Sequence, residues 1–464
     1  MAYRQFPLES TYLEDYRNGI RSKSLPWDAF ARSQILSEDA AQKLNALKTI
    51  DSISLKINTV TASDSSKVYA DILIDLLVKD LPTERVDVKK YALVTITDLS
   101  QSDDFLKALV NSSQFEKVTQ ILIDNLESTD EVLKLISAYA LVYTSIQNEI
   151  VKKISTQQVL IIFQNFIKLL DSSKKELKFL SVEFLVELLS IKSYRSVFLS
   201  RHEEFGYLLF ENLNTSPSII SDTEEVQFQY KLLLSILLLS FNSASNSKDL
   251  KEFSENYSKY FEKLITIVKV TIKEKIVRVA IAIFINLTSS WETNSIAKNN
   301  IKKLILQDNF HPILTNLKER KWTDEELIED LERLSVSFQE VSSQLSSFDE
   351  YLQELQSKSF KNSPVHNKES FFIDHLVKFQ ESNYKLLKEL LNLLSDEIVA
   401  KNSTNYVYIL RDISKIIKLD SNAIEVIVNE NKKLDIMKLL NDKNSQVKYE
   451  ALIVTQLLVS NSFK

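Results

Sequence analysis

Histidine and acidic residues are the side chains of this sequence that could perform acid–base chemistry or bind a metal ion, and their spacing argues against both. His202-Glu203 begins like the H-E-x-x-H helix of zinc proteases, but Gly206 stands where the second histidine ligand is required. His366 and His375 follow in one segment without a third ligand pattern. Each histidine is therefore predicted to be a surface or capping residue, and we expect no catalytic residue and no metal site.

Scarce glycine and absent cysteine exclude further kinds of site. The chain of 464 residues holds two glycines, Gly19 and Gly206, six prolines and no cysteine. A phosphate-binding loop, a dinucleotide fingerprint and a nucleophile elbow all need closely spaced glycines. Thiol catalysis, disulfides and iron–sulfur clusters need cysteine. We therefore expect no cofactor. The sequence also lacks the usual motifs of a hydrolase, which disfavours an unrecognised hydrolase as its function.

The charge balance bears on partners and location. The net charge is −6, so the chain has no overall basic field that would attract nucleic acid. No uncharged stretch reaches the ~20 apolar residues of a membrane span. Arg4, Glu9 and Glu14 interrupt any signal-peptide core. The sequence predicts a cytosolic or nuclear protein without direct membrane insertion.

Apolar residues recur along most of the chain with the period of an α-helix. In residues 129–148, for example, Val132, Leu135, Ile136, Tyr139 and Val142 fall on one helical face. Short polar clusters separate such segments, and the lack of glycine disfavours β-hairpins. The pattern predicts an all-α fold.

Five segments share a longer template, in which an aliphatic residue is followed seven positions later by an aliphatic–basic pair. Their leading residues are Leu81, Leu126, Leu170, Val270 and Leu440. The first three are 45 and 44 residues apart, which matches the ~40–47-residue period of HEAT and armadillo repeats. We predict an armadillo/HEAT-like α-solenoid in which one helix ends at the leading residue. The basic residue, at the start of the next helix, is expected to reach the carbonyls of the preceding helix.

A serine-rich stretch interrupts this rhythm near residue 346. It follows a charged helix for which Thr323 and Glu326 predict a capping box. We predict a large N-terminal helical-repeat domain, 1–346, and a smaller C-terminal one, 347–464, joined by a short stiff hinge at about 342–350. The central hinge residues are Ser346, Ser347, Phe348, Asp349 and Glu350.

A basic and aromatic block near the N-terminus is a candidate partner-binding site. Arg21, Lys23 and Arg32 surround Trp27, and Pro26 with Asp28 predicts a helix start that Asp28 caps. In one interpretation Trp27 seals the first repeat. In the other, Arg21, Lys23, Trp27, Asp28 and Arg32 form a surface for an acidic partner.

These residues belong to a series of sequence blocks that together reach along nearly the whole chain: residues 20–33, 268–278, 319–327, 347–351, 363–366 and 435–452. In content and order the blocks resemble the H subunit of the vacuolar proton-pumping ATPases. Two departures are Asn362, where the family usually has Trp, and Phe372, where it has Trp in a Phe-Trp pair.

The resemblance implies a peripheral regulatory subunit of the pump's catalytic sector, without an active site, on the cytosolic face of the vacuolar or other endomembrane. Its N-terminal domain would bind the peripheral stalk, which is the stator. Its C-terminal domain would face the large membrane-sector subunit in the assembled pump. On the detached sector it would contact the catalytic and rotor-stalk subunits and suppress ATP hydrolysis.

Such inhibition needs one body that touches both stator and rotor, and the predicted hinge would let its two domains reorient. The candidate contact is the polar segment 395–404 between two apolar helices. Its candidate residues are Ser395, Asp396, Glu397, Lys401 and Asn402.

An armadillo-type cargo adaptor, such as a nuclear import receptor, is the alternative. Those proteins repeat Trp and Asn on successive repeats to hold extended basic peptides. Trp27, Trp291 and Trp322 are not at repeat spacing, which disfavours this class.

Overall fold

The structure is a computed structural model that describes residues 10–62, 65–79, 85–151, 153–216, 223–244 and 246–460. Within these ranges every regular element is an α-helix or a short 3-10 helix, and no strand occurs. The predicted all-α fold is confirmed. The chain divides into two compact units, Met1–Leu287 with Trp322–Leu327 and Thr288–Lys321 with Ile328–Lys464.

The helices that begin in the first unit are α1 Thr11–Arg21, α2 Trp27–Arg32, α3 Glu38–Lys48, α4 Ile53–Thr61, α5 Ser66–Val78, α6 Val86–Leu99, α7 Asp103–Val110, α8 Phe115–Asn125, α9 Glu131–Ser145, α10 Asn148–Val151, α11 Thr156–Leu170, α12 Lys175–Leu189, α13 Lys192–Leu199, α14 His202–Glu211, α15 Thr223–Ser240, α16 Ser247–Tyr257, α17 Phe261–Val270 and α18 Glu274–Thr288.

The remaining helices are α19 Ser295–Leu306, α20 Phe310–Glu319, α21 Glu325–Ser343, α22 Ser347–Ser357, α23 Pro364–Asn367, α24 Glu369–Asn392, α25 Glu397–Ala400, α26 Thr404–Leu419, α27 Ala423–Asn429, α28 Lys433–Lys438 and α29 Ser445–Ser460. Helix α21 begins in the first unit and continues in the second. Short 3-10 helices occupy Ser258–Tyr260, Leu393–Ser395 and Leu439–Asn441.

Side-chain contacts between helices recur about one repeat apart inside each unit. In the first unit the Tyr143 hydroxyl donates to the Ser100 carbonyl, 43 residues earlier, at 3.2 Å. In the second unit Lys302 pairs with Asp349, 47 residues later. Long helices therefore stack on their counterparts in the next repeat, as in α12 on α15 and α26 on α29. This packing confirms the armadillo/HEAT-like solenoid.

The five-segment template is correct about three helix ends, but Leu440 lies inside the 3-10 helix Leu439–Asn441. Leu126 is the C-cap of α8, α11 ends at Leu170 and α17 ends at Val270, whereas Leu81 lies outside the described residues. The expected role of the basic residue is wrong. Two of the basic residues reach forward to the following repeat instead. Lys178 Nζ donates to Asn212 Oδ1 at 2.8 Å, and Arg278 pairs with Asp324 at 3.0 Å. Carbonyls at helix ends are bound instead by other lysines, such as Lys263 at the Phe210 carbonyl, at 2.8 Å.

The predicted capping box at Thr323 is also wrong. Helix α21 begins at Glu325, and the Asp324 carboxylate caps it by accepting from the Leu327 N–H at 3.0 Å. The Thr323 hydroxyl is committed elsewhere, since it donates to the Glu274 carboxylate at 2.7 Å. A side chain that already serves a neighbouring helix is not available to cap its own.

The predicted domain boundary at 346–347 lies inside the second compact unit. Ser346 is the N-cap of α22 there, and Asp349 in the first turn pairs with Lys302 of α19. The hinge at this position stays a prediction.

Candidate partner-binding sites and two buried charge clusters

Two arginines of the N-terminal block fasten α1 to α6. Arg21 donates from Nε and Nη2 to the two carboxylate oxygens of Asp98, at 2.8 and 2.7 Å. Arg17, one turn earlier, donates to Asp98 at 2.6 Å and to Glu14 at 2.7 Å. Its guanidinium also lies 4.8 Å from the ring centroid of Tyr139. We name Glu14, Arg17, Arg21 and Asp98 the arginine cluster.

The arginine cluster is held by charge in a largely dry environment. Arg17 and Asp98 are buried and Arg21 is half-buried. Burial acts to lower the pKa of Arg21, but its hydrogen bonds with Asp98 and Glu14 outweigh this and raise it above the ordinary value. Arg21, one of the predicted partner contacts, is therefore engaged inside its own unit.

The other residues of the N-terminal block divide between interior and surface. Trp27 is buried, with its ring centroid 5.1 Å from that of Tyr91, as expected if it seals the first repeat. Lys23, Asp28 and Arg32 are exposed. Asp28 is not the predicted cap, because α2 begins at Trp27 with Pro26 in the N-cap position. Partner binding at the exposed residues stays a prediction.

The predicted hinge residues form the first turn of α22. Ser346 Oγ accepts from the Asp349 N–H at 3.2 Å, and the Asp349 carboxylate accepts from the Ser346 N–H at 2.9 Å. Burial acts to raise the pKa of Asp349, but Lys302 outweighs it and lowers that pKa. Ser347 starts the helix and Phe348 is buried. Burial raises the pKa of the Glu350 carboxyl, which stands at the end of this turn.

The candidate contact loop is more ordered than its polar sequence indicates. Asp396 caps the single turn of α25 and pairs with Lys358 at 2.6 Å. Ser395 accepts from Lys432 Nζ at 2.9 Å. Glu397, Lys401 and Asn402 are exposed, so they remain available to a partner.

A buried cluster in the second unit was not foreseen from the sequence. His366 is fully buried, which corrects the expectation of a surface or capping residue. Its Nε2 lies 2.5 Å from Glu354 Oε2 and its Nδ1 lies 2.8 Å from Asp412 Oδ2. Because both ring nitrogens face carboxylates, the ring carries both protons and is an imidazolium. We name Glu354, His366 and Asp412 the histidine cluster.

The histidine cluster joins three helices, α22, α23 and α26. Burial acts to lower the pKa of His366, but Asp412 and Glu354 outweigh it and raise that pKa to about 9. Burial raises the pKa of Asp412 to about 6, against the opposing effect of His366. Lys415 adds a cation by donating to the His366 carbonyl.

The sequence position of Asp412 could have indicated this cluster. It lies among Ile409, Leu410, Ile413 and Ile416, where the helical period of α26 demands a core residue. A carboxylate on an apolar face predicts a buried partner. The identity of that partner, 46 residues away in sequence, depends on the repeat stacking.

The described ranges hold no group of His, Cys, Asp or Glu side chains arranged to bind a metal ion. Over the same ranges no helix has the length and apolarity that crossing a bilayer requires. The geometry of the two clusters is that of structural fastenings, since both join helices through buried ion pairs.

Two family models described as the H subunit of the V-ATPase match the chain, an N-terminal one over residues 11–338 and a C-terminal one over residues 344–463. A Drosophila melanogaster protein named as the H subunit of the V-type proton ATPase is 26% identical over 463 residues, covering 98% of this chain and 91% of that protein. The protein of that name from Dictyostelium discoideum is 22% identical over 462 residues, covering 96% and 94%.

Among solved structures, a designed armadillo repeat protein is similar at a TM-score of 0.40 and 14% identity, covering 57% of this chain and 98% of that one. An engineered protein is similar at a TM-score of 0.43 and 15% identity, covering 97% and 95%.

Proposed function

The chain belongs to the family of V-ATPase H subunits, and from this premise we propose that it is a non-catalytic regulatory subunit of the pump's catalytic sector. It is required for ATP-driven proton pumping in the assembled enzyme. It silences ATP hydrolysis in the detached sector by bridging stator and rotor. It acts on the cytosolic face of the vacuolar or other endomembrane.

The observation that carries this proposal is the match of both family models, which together span residues 11–338 and 344–463. The helical-repeat fold supports it, because stacked helices present long surfaces to other proteins. Stiffness supports it as well. The buried charge clusters and the shortage of glycine favour a body that resists deformation, which a brace between stator and rotor needs.

Within this proposal the N-terminal domain, 1–346, binds the stator. The exposed Lys23, Asp28 and Arg32 supply charged contacts there. The C-terminal domain, 347–464, faces the large membrane-sector subunit in the assembled pump and the catalytic and rotor-stalk subunits in the detached sector. The exposed Glu397, Lys401 and Asn402 are its candidate inhibitory contacts.

The test is ATP hydrolysis by detached catalytic sector that lacks this subunit, measured before and after addition of the full chain. The full chain is expected to suppress hydrolysis. The triple variant E397A/K401A/N402A is expected to bind the sector but leave much of the hydrolysis active, since its substitutions lie on an exposed turn. A matched control, K23A/R32A, should weaken binding to isolated peripheral stalk instead.

Unchanged hydrolysis in the presence of bound full chain would contradict the silencing role. Affinity purification of the chain from cell extract provides the second readout. Recovery of catalytic-sector subunits is expected, whereas recovery of import factors or basic cargo would favour the adaptor alternative.

A further inference from the structure

Helix α29 carries exposed apolar side chains on its outer face in addition to the buried ones on its inner face. The inner residues Val447, Ala451 and Val454 are buried, and the helix packs on α26 and α28. On the outer face Tyr449 is 62% exposed and Leu452 is 48% exposed. Val459, 41% exposed, continues this row two turns further on. Exposed polar residues such as Gln456 lie between them, so the outer face carries a broken apolar row rather than a continuous apolar surface. Exposed apolar side chains that line up on one face of a helix are a candidate site for a partner.

Helix α26, on which α29 packs, shows how a helix with apolar residues on two faces is normally buried. Helix α26 is buried on two opposite faces because it packs between α24 and α29. Helix α12 of the first unit packs in the same way between α11 and α15. Helix α29 has the composition of these inner helices, but no described helix covers its outer face. That face is the position at which the stack could accept one more helix.

The charges around this face are mainly positive. Lys433, Lys443 and Lys448 are exposed, and their side chains make no hydrogen bond or ion pair within the described residues. Of the acidic residues nearby, Asp442 accepts from the Asn444 N–H and pairs with no cation in the described part of the chain, whereas Asp435 and Glu450 are held by basic side chains. Asp435 bonds Lys438 at 2.9 Å, and the buried Glu450 accepts from Arg411 at 2.9 Å.

We propose that the outer face of α29 binds an amphipathic helix of a partner protein, with acidic residues flanking its apolar stripe. The row from Tyr449 through Leu452 to Val459 spans about 15 Å, which is roughly three turns of a partner helix. Lys443 and Lys448 attract the acidic flank. The inference rests on the proposed function, because this face is one surface by which the C-terminal part of the chain would hold another component of the pump.

The test uses the full chain and a labelled synthetic helical peptide of about 18 residues, with leucines at helical spacing and glutamates on both flanks. Fluorescence anisotropy measures its affinity. The L452D variant is expected to weaken binding about tenfold or more, because a carboxylate enters the apolar contact and faces the peptide's acidic flank. K443E/K448E is expected to weaken it about threefold, with the loss reduced at high salt. The matched control is I373D, at a 58% exposed isoleucine of α24, and it should bind like the unmodified chain.

Equal binding of a peptide carrying lysines in place of the glutamates would overturn the proposal, as would equal binding by L452D. Sedimentation velocity tests whether a second copy of the chain, rather than a partner protein, occupies this face. If the chain self-associates and L452D abolishes this, the face is an interface between copies and the proposal is wrong. Silencing of ATP hydrolysis by the full chain is scored separately, so a failed peptide with intact silencing rejects this inference alone. Peptide binding without silencing rejects the proposed function alone.

Discussion

The arginine cluster and the histidine cluster do similar structural work with different chemistry. Each uses a buried carboxylate on a long inner helix, Asp98 on α6 and Asp412 on α26. Each carboxylate holds a cation from another helix, Arg21 in the first case and His366 in the second. Arginine stays charged at any pH that a folded protein meets, whereas histidine does not. The cation of this fastening therefore keeps its charge at high pH in the first unit and loses it there in the second.

Burial also differs between the clusters, and this sets the size of the effects. Arg21 is only half-buried and Glu14 offers the arginines a second carboxylate. Glu354, His366 and Asp412 are all shielded from water. Removing one partner of a shielded pair leaves a charge with no compensation. The histidine cluster should therefore be the more sensitive of the two.

The largest expected effect is that of H366A. The variant leaves Glu354 and Asp412 buried without their cation, at an expected cost of about 3–5 kcal/mol in the free energy of unfolding of the second unit. Thermal unfolding with hydrogen exchange read by mass spectrometry should locate the loss in α22, α23 and α26. H202A is the control, because His202 is partly exposed in the first turn of α14 and its loss should cost under ~0.5 kcal/mol. Equal stability of the two variants would contradict a stabilising role of the histidine cluster.

The pH dependence follows from the raised pKa values. His366 has a pKa of about 9 in the folded chain against 6.5 as its ordinary value, so its contribution is complete below pH 6.5 and is lost as the pH rises through 9. The loss amounts to about 3 kcal/mol. Asp412, with a raised pKa of about 6, acts in the same direction, since the folded state keeps its proton up to a higher pH.

Urea unfolding of the full chain from pH 6 to pH 10, compared with H366N at each pH, isolates the contribution of His366 to the free energy of unfolding. The stability difference between the two proteins should shrink as the pH rises, while the difference between the unmodified chain and D98N should stay constant. A constant difference for H366N would show that His366 is not charged in the folded state.

D98N is expected to have a smaller effect, about 2 kcal/mol, because Glu14 still pairs with both guanidiniums and Arg21 is only half-buried. Hydrogen exchange should show faster opening of α1 and little change in the second unit. E14Q serves as the control and should cost less than ~1 kcal/mol, since Glu14 is half-exposed. A larger loss for E14Q than for D98N would place the fastening of α1 at its surface rather than on α6.

The repeat architecture was predictable because the apolar period and the template depend only on local sequence. Leu126 and Leu170 do mark helix ends, since a helix that packs on both faces must stop where its apolar pattern stops. The two clusters were not predictable in this way. In the sequence Arg21 resembles a surface base and His366 an isolated histidine. Only the stacking of repeats brings Asp98 to Arg21, across 77 residues, and Asp412 to His366, across 46 residues.

The smallest effect expected concerns helix propensity in α1, and it tests whether the arginine cluster alone holds this helix. Gly19 lies within α1, and no atom stands within 4 Å of the position that a Cβ would take. G19A should therefore raise the free energy of unfolding by about 0.5–1 kcal/mol. Gly206 provides the matched control, because a Cβ there would overlap the Tyr257 hydroxyl, and G206A should destabilise by about 1–3 kcal/mol. If G19A has no effect on exchange in α1, the ion pairs with Asp98 already determine how often this helix opens.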